Sequence, residues 1–175
     1  MWALVEDNNV TQVFTRPKAL KIGENQYQAN IFNLWSTSEL EALGIYEVVV
    51  DNTNLKDKEY YVNTNQTFAF SSGTVTASYG TATAKDLATL KTEHKEIINA
   101  QAGSLLAPYD WYTLREADGG TAVPSNVNTY RTAIRTTAND MCTKIDAVAD
   151  VDALAALYVY STDSRPLGEW PTLGS

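Results

Sequence analysis

The chain of 175 residues carries one cysteine and one histidine, and each scarcity closes a class of chemistry. Cys142 alone excludes an intramolecular disulfide and every multi-cysteine zinc pattern, and it reads as a small buried residue. With His94 as the sole imidazole and no motif around Cys142, neither a Ser/His/Asp nor a Cys/His nucleophilic site can be assembled. Charge is sparse at 19% of residues and its balance is −8. Basic residues come as scattered pairs such as Lys18 and Lys21, so the clusters that phosphate binding requires are missing and nucleic acid is not expected as a partner. No apolar run approaches the roughly 20 residues that span a bilayer, and MWALVEDNNV has acidic residues where a secretory signal carries basic ones. The expectation is a protein made in a cytoplasm and not inserted in a membrane.

What is present suffices for a core: 44% of residues are apolar and 10% aromatic. Residues 2–15 read as a β-hairpin turning at Asp7, Asn8 and Asn9, and 19–27 as a second with Gly23, Glu24 and Asn25 at its tip. Ser36 and Glu39 form a capping box opening a short helix over 37–43, closed by Gly44. The β-branched run 45–50 suits a strand covered on both faces or docked under that helix. Three short strands follow over 60–63, 67–70 and 74–79.

From Thr83 the period changes to three and four. Leu87, Leu90, His94, Ile97, Ile98 and Leu105 form one stripe, and Val127, Tyr130, Ile134, Ala138, Met141, Ile145 and Val148 a second beyond Gly119, Gly120 and Pro124. Asp150 caps a further short helix, 152–158. These readings give an α+β fold: a β-rich domain over 1–82, a helical hairpin over 83–162 and an extended tail over 163–175. Leu167 and Trp170 in that tail need a surface to sit on, and a partner is the expected source.

His94, on a stripe with Leu90 and Ile97, is read as a hydrogen-bonded core residue rather than a catalytic base. Asp51, Asp57 and Glu59 lack the alternating oxygen ligands and midway glycine of a calcium loop. Glu93 with Glu96, and Asp146 with Asp150, have the spacing of a wet helix face more than that of a hydrolytic carboxylate pair. SSGT and ADGGTA lack the spacing and lysine of a phosphate loop. The rings of Tyr60, Tyr61, Tyr109, Trp111 and Tyr112 suit core and seam packing, with a sugar-binding or protein-binding face as the rival. In SLLAPYDWY, Pro108 is expected to end a helix after Leu106 and make the hairpin corner. Asp110 would then accept backbone N–H groups, and Trp111 would fold its indole between the helices. A core position predicts a cost of about 3–5 kcal/mol for Trp111→Ala.

The run from Leu105 to Trp111 (LLAPYDW), followed by Tyr130–Arg135 (YRTAIR), resembles the C-terminal region of phage tail assembly chaperone-like and tail-fibre-associated proteins. Those families carry "LL..TDW" on a helix end and "YR.ALR" on the next helix; Tyr109 stands here for their threonine. The resemblance covers about residues 97–135. A weaker one, through Arg16–Pro17, Ile31–Phe32, Trp35–Ser36, Glu39–Leu40 and Gly44–Ile45, is to proteins encoded near tail genes of marine phages. The resemblance implies a non-enzymatic tail or fibre component with no cofactor, metal or catalytic residue. It would sit in the virion tail after assembly in the host cytoplasm, contacting other tail or fibre proteins in multiple copies of a symmetric assembly. Pro108, Tyr109, Asp110, Trp111, Tyr112, Tyr130, Arg131, Arg135 and Trp170 are its structural or interaction candidates. Two rivals remain: an assembly chaperone absent from the finished particle, and a glycan-binding receptor module using Tyr109, Trp111 or Tyr60.

Overall fold

Strands β1 (Trp2–Glu6) and β2 (Asn9–Phe14) form the first hairpin, with Trp2 opposite Phe14 and a bulge between Leu4 and Val5. Its turn places Asp7 and Asn8 at φ of 50° and 62°, a left-handed conformation that short polar side chains tolerate. The second hairpin, β3 (Leu20–Ile22) and β4 (Asn25–Tyr27), reverses at Gly23. The computed structural model describes residues 1–174, and the chain divides into two units, Met1–Thr83 and Ala84–Ser175.

In the first unit a single helical turn, α1 (Ile31–Leu34), precedes α2 (Thr37–Ala42). The capping box forms as expected: Ser36 N donates to Glu39 Oε2 at 2.7 Å, and the Ser36 hydroxyl and backbone hold the Glu39 carboxyl below its ordinary range. Asn30 stands at the N-cap of helix α1 but makes no side-chain cap bond, and the turn buries Ile31 and Phe32. Strand β5 (Ile45–Asp51) then runs between β1, antiparallel, and β8 (Thr74–Tyr79), parallel. Strand β7 (Gln66–Ser71) pairs with β8 through a turn at Ser72 and Gly73, giving the order β2-β1-β5-β8-β7. Two-residue strands β6 (Tyr61–Val62) and β9 (Thr83–Ala84) complete the set.

The sheet separates two apolar clusters. Leu4, Phe14 and Ile45 pack with Leu20, Ile31, Phe32 and Leu40 on one side. Ala3, Val48, Val75 and Ala77 lie on the other, flanked by Tyr46, Phe68 and Phe70. Ala3, Val75 and Ala77 are wholly inaccessible, and edge strands β2 and β7 approach each other around them. Small side chains permit that curl. Strand β5 is not covered on both faces along its length: Val49 and Val50 are about half exposed, because α2 reaches only the strand's beginning.

The second unit is built on α3 (Leu87–Leu106) and α5 (Ser125–Ala147), which pack against each other. Asp86 caps α3 by accepting from Thr89 N at 2.8 Å, and the Thr89 hydroxyl and amide hold that carboxyl below its usual range. The buried face of α3 is Leu90, His94, Ile98 and Ala102, a run of i, i+4 steps; Ile97, expected on it, lies off that face and is half exposed. The α5 stripe buries at Val127, Tyr130, Ile134, Ala138, Met141 and Ile145, with Val148 only partly covered.

The corner lies elsewhere than expected. Pro108 occupies the first turn of a 3₁₀ helix (Ala107–Tyr109), where its missing N–H leaves no bond unmade, and the chain proceeds directly into α4 (Asp110–Ala117). Reversal occurs over residues 118–124, where Gly119 has φ of 80° and Gly120 N donates to Arg115 O at 2.9 Å. Helix α6 (Val151–Ala156), capped by Asp150, precedes the terminal segment. That segment finds its surface within its own unit. Leu167 is buried, its N–H bonds to Leu157 O, and Lys144 Nζ donates to Pro166 O and Leu167 O at 2.9 and 3.0 Å.

Candidate functional site

The residues of the two motif segments meet where the end of α3 faces the beginning of α5. Arg131 Nη1 donates to Asp110 Oδ1 at 2.8 Å and to Leu106 O at 3.3 Å. One guanidinium thus bonds to a carbonyl at the end of α3 and pairs with the acid that opens α4. The pair is asymmetric: the Arg131 side chain is 6% exposed and that of Asp110 is 56% exposed. Asp110 therefore receives a guanidinium rather than the backbone N–H groups expected of it. Arg131, proposed as an interaction residue, is committed inside the fold, and so is buried Tyr130, whose ring takes the edge of Tyr109 at 5.4 Å and 77°.

Trp111 is not between the helices. It is half exposed and stacks on Tyr112 with ring centroids 3.8 Å apart and planes 29° from parallel. The Arg115 guanidinium lies 4.9 Å from the Trp111 ring centre and 5.2 Å from that of Tyr112. Arg115 also donates to Thr121 O and Ala122 O, at 3.0 and 3.3 Å, tying the reversal to α4. Leu114, 66% exposed, stands beside Trp111 at helical spacing. Together these make an outward face of two stacked rings, a cation and an apolar side chain. Leu114 and Arg115 were not singled out from sequence, although their i+3 and i+4 spacing from Trp111 was there to read.

Pro108 is exposed at the start of the 3₁₀ turn, and Arg135 is exposed with no ion pair among the described residues. Trp170 lies against α3, its Nε1 donating to Gln101 Oε1 at 3.2 Å. It shares a shallow apolar groove with Ile97, Ala100 and Leu105.

Several other groups with chemical potential make contacts within the fold. His94 is buried, with Nδ1 2.9 Å from Tyr158 Oη and its ring 4.8 Å from the tyrosine ring, as the stripe implied. Burial pushes the Cys142 thiol up, the direction opposite to an activated nucleophile. Tyr60 is buried, and burial, followed by the neighbouring charges of Glu59 and Asp57, raises its phenol to about 12. Asp146 pairs with Lys95 at 2.7 Å while Asp150 accepts from Ala153 N, so these two carboxylates act separately. Among the described residues no three His, Cys, Asp or Glu side chains converge as a metal set, and no helix is long and apolar enough to cross a membrane. Comparison with protein-family models, curated proteins and solved structures gives no significant match to this chain.

Proposed function

We propose that this chain is a non-enzymatic structural component of a bacteriophage tail, a fibre or tail-associated part present in several copies and acting through protein–protein contacts. The observation that carries the reading is the Asp110–Arg131 bond. It joins LLAPYDW to YRTAIR directly, so the two segments that resemble tail proteins form one structural unit. Beside that joint, α4 exposes Trp111 and Leu114, with Tyr112 and Arg115 partly buried against the Trp111 ring, and Trp, Tyr and Arg are the residue types that concentrate binding energy in protein interfaces.

Mass spectrometry of purified particles from the phage that encodes the chain tests the reading. A stoichiometric copy number supports a retained tail part. Complete absence sinks it and favours a chaperone that leaves before completion. The glycan reading tied to Tyr60, Tyr109 or Trp111 loses two of its rings, since Tyr60 is buried and Tyr109 packs on Tyr130, and keeps the third, because Trp111 is half exposed and stacked on Tyr112.

A further inference from the structure

The first unit contains a concave site that the tail reading does not use and does not depend on. Between β5 and β7 the chain makes a long connection broken only by the two residues of β6. Long connections of this kind in compact domains are mostly either functional or disordered. Here the bracing is done by side chains. Asn63 clamps Lys56 from both sides, Oδ1 accepting from Lys56 N at 2.9 Å and Nδ2 donating to Lys56 O at 2.7 Å. Asn54 Nδ2 donates to Tyr79 O at 3.0 Å, and Thr64 Oγ1 accepts from Gly80 N at 2.8 Å. Asp51 and Asp57 each accept a backbone N–H two residues on, and the Lys56 ammonium sits 5.6 Å from the Tyr61 ring centre.

A cavity of about 530 Å³ opens within this braced frame, lined by Leu55, Lys58, Tyr61, Asn65, Gln66 and Tyr79 among others. The bracing uses Asn54, Asn63 and Thr64. It leaves the side chains of Lys58, Asn65 and Gln66 without a hydrogen bond to any described residue, on a loop whose shape is already fixed. We propose that this cavity binds a neutral saccharide.

Each free amide offers one acceptor oxygen and two donor hydrogens side by side, the pattern that matches a pair of vicinal hydroxyls. Tyr61 and Tyr79, both partly exposed, supply aromatic surface for the C–H face of a sugar ring. The lining contains no carboxylate, which disfavours amines and divalent cations. A single ammonium on a chain of net charge −8 disfavours polyphosphates and nucleic acid. Ordering the loop before binding removes the entropy cost that makes sugar recognition weak.

The test is a titration of the isotopically labelled full chain with neutral tetrasaccharides of glucose, galactose, mannose and N-acetylglucosamine, and with a hexuronate tetramer for comparison, at millimolar concentration, followed by amide chemical shifts. At least one should shift amides confined to residues 55–66 and 79–80. Asn65→Ala and Gln66→Ala should each weaken that binding by about tenfold, the loss of roughly one good hydrogen-bonding group. Thr136→Ala, on an exposed face of α5, should bind as the native chain does. Asn65 is exposed and braces nothing, so its variant keeps the native spectrum away from the loop and a loss cannot be blamed on unfolding. No shifts with any of the four sugars, shifts centred outside the loop, tighter binding of a hexuronate tetramer, or an unaffected Asn65→Ala would each overturn the proposal. Mass spectrometry of particles can fail while this titration succeeds, and the reverse, so the two readings fall separately.

Discussion

In the helical unit, order comes from volume: two long helices bury Leu90, Ile98, Ile134, Met141 and Ile145 along one seam, and polar side chains join them only at its ends. In the β-rich unit the strands are short and much of the connecting chain is held by side chains bonded to backbone, as at Asn54, Asn63 and Thr64. The first arrangement tolerates polar change outside the seam. The second depends on the local conformation of single residues. The residues proposed to bind divide the same way, with a protruding face on α4 in one unit and a recess made by a braced loop in the other.

The sharpest way to break this contrast is to remove volume from the seam. Ile145 is wholly inaccessible, so Ile145→Ala should cost about 2–5 kcal/mol, measured by denaturant unfolding. A loss under 1 kcal/mol would mean that the seam collapses to fill the space, and the volume argument for this unit would fail. The counterpart in the β-rich unit is Gly44→Ala, which adds volume rather than removing it. Gly44 has φ of 79°, and a Cβ there would stand 2.6 Å from Val5 O, whose own N–H bonds to Gly44 O. Strain of about 1–3 kcal/mol is expected. Amide exchange should show it first at the β1–β5 pairing.

The Asp110–Arg131 pair refines the comparison because there the helical unit relies on a polar contact whose cation is buried. Asp110→Ala leaves a buried guanidinium with only the Leu106 carbonyl, at an expected cost of about 1–3 kcal/mol. Arg131→Met keeps the apolar stem and removes the charge, so it should cost less, because the exposed carboxylate of Asp110 returns to water. If Arg131→Met proves the more damaging, the guanidinium contributes more than it costs to bury, and the joint is a net source of stability.

How much could be read in advance follows the same division. The α5 stripe was legible from Val127 to Ile145, though not at Val148 past the helix end, because a repeating step of three and four in a long helix leaves one solution for the buried face. The hairpin turns at Asp7–Asn8 and at Gly23, and the caps at Ser36 and Asp150, were legible because each depends on one residue's local chemistry. Burial of Arg131 was not, since its partner lies 21 residues away and no local signal separates a paired arginine from a solvated one. The α4 face was misread for a physical reason. Helix α3 does end at Leu106, as Pro108 implies, but the 3₁₀ turn that follows leads directly into α4 instead of reversing the chain, and Trp111 on α4 is left half exposed. The braced cavity was invisible because it is made by hydrogen bonds between residues 7 to 25 apart.

The smallest stability effect belongs to Trp111, and it says most about the α4 face. Half exposed and resting on Tyr112 and Arg115, the indole should contribute under about 1 kcal/mol, so Trp111→Ala should leave the unfolding midpoint nearly unchanged. A loss near the 3–5 kcal/mol of a core aromatic would return the ring to the seam and remove α4 as an outward surface. Near-neutral stability makes the variant a clean probe of assembly. If the α4 face contacts a neighbouring tail subunit, Trp111→Ala should lower incorporation into particles while the purified chain melts as the native one does. Normal incorporation of a chain lacking this ring would detach the exposed aromatic pair from assembly and leave the Asp110–Arg131 joint as the only part of the motif with a role to explain.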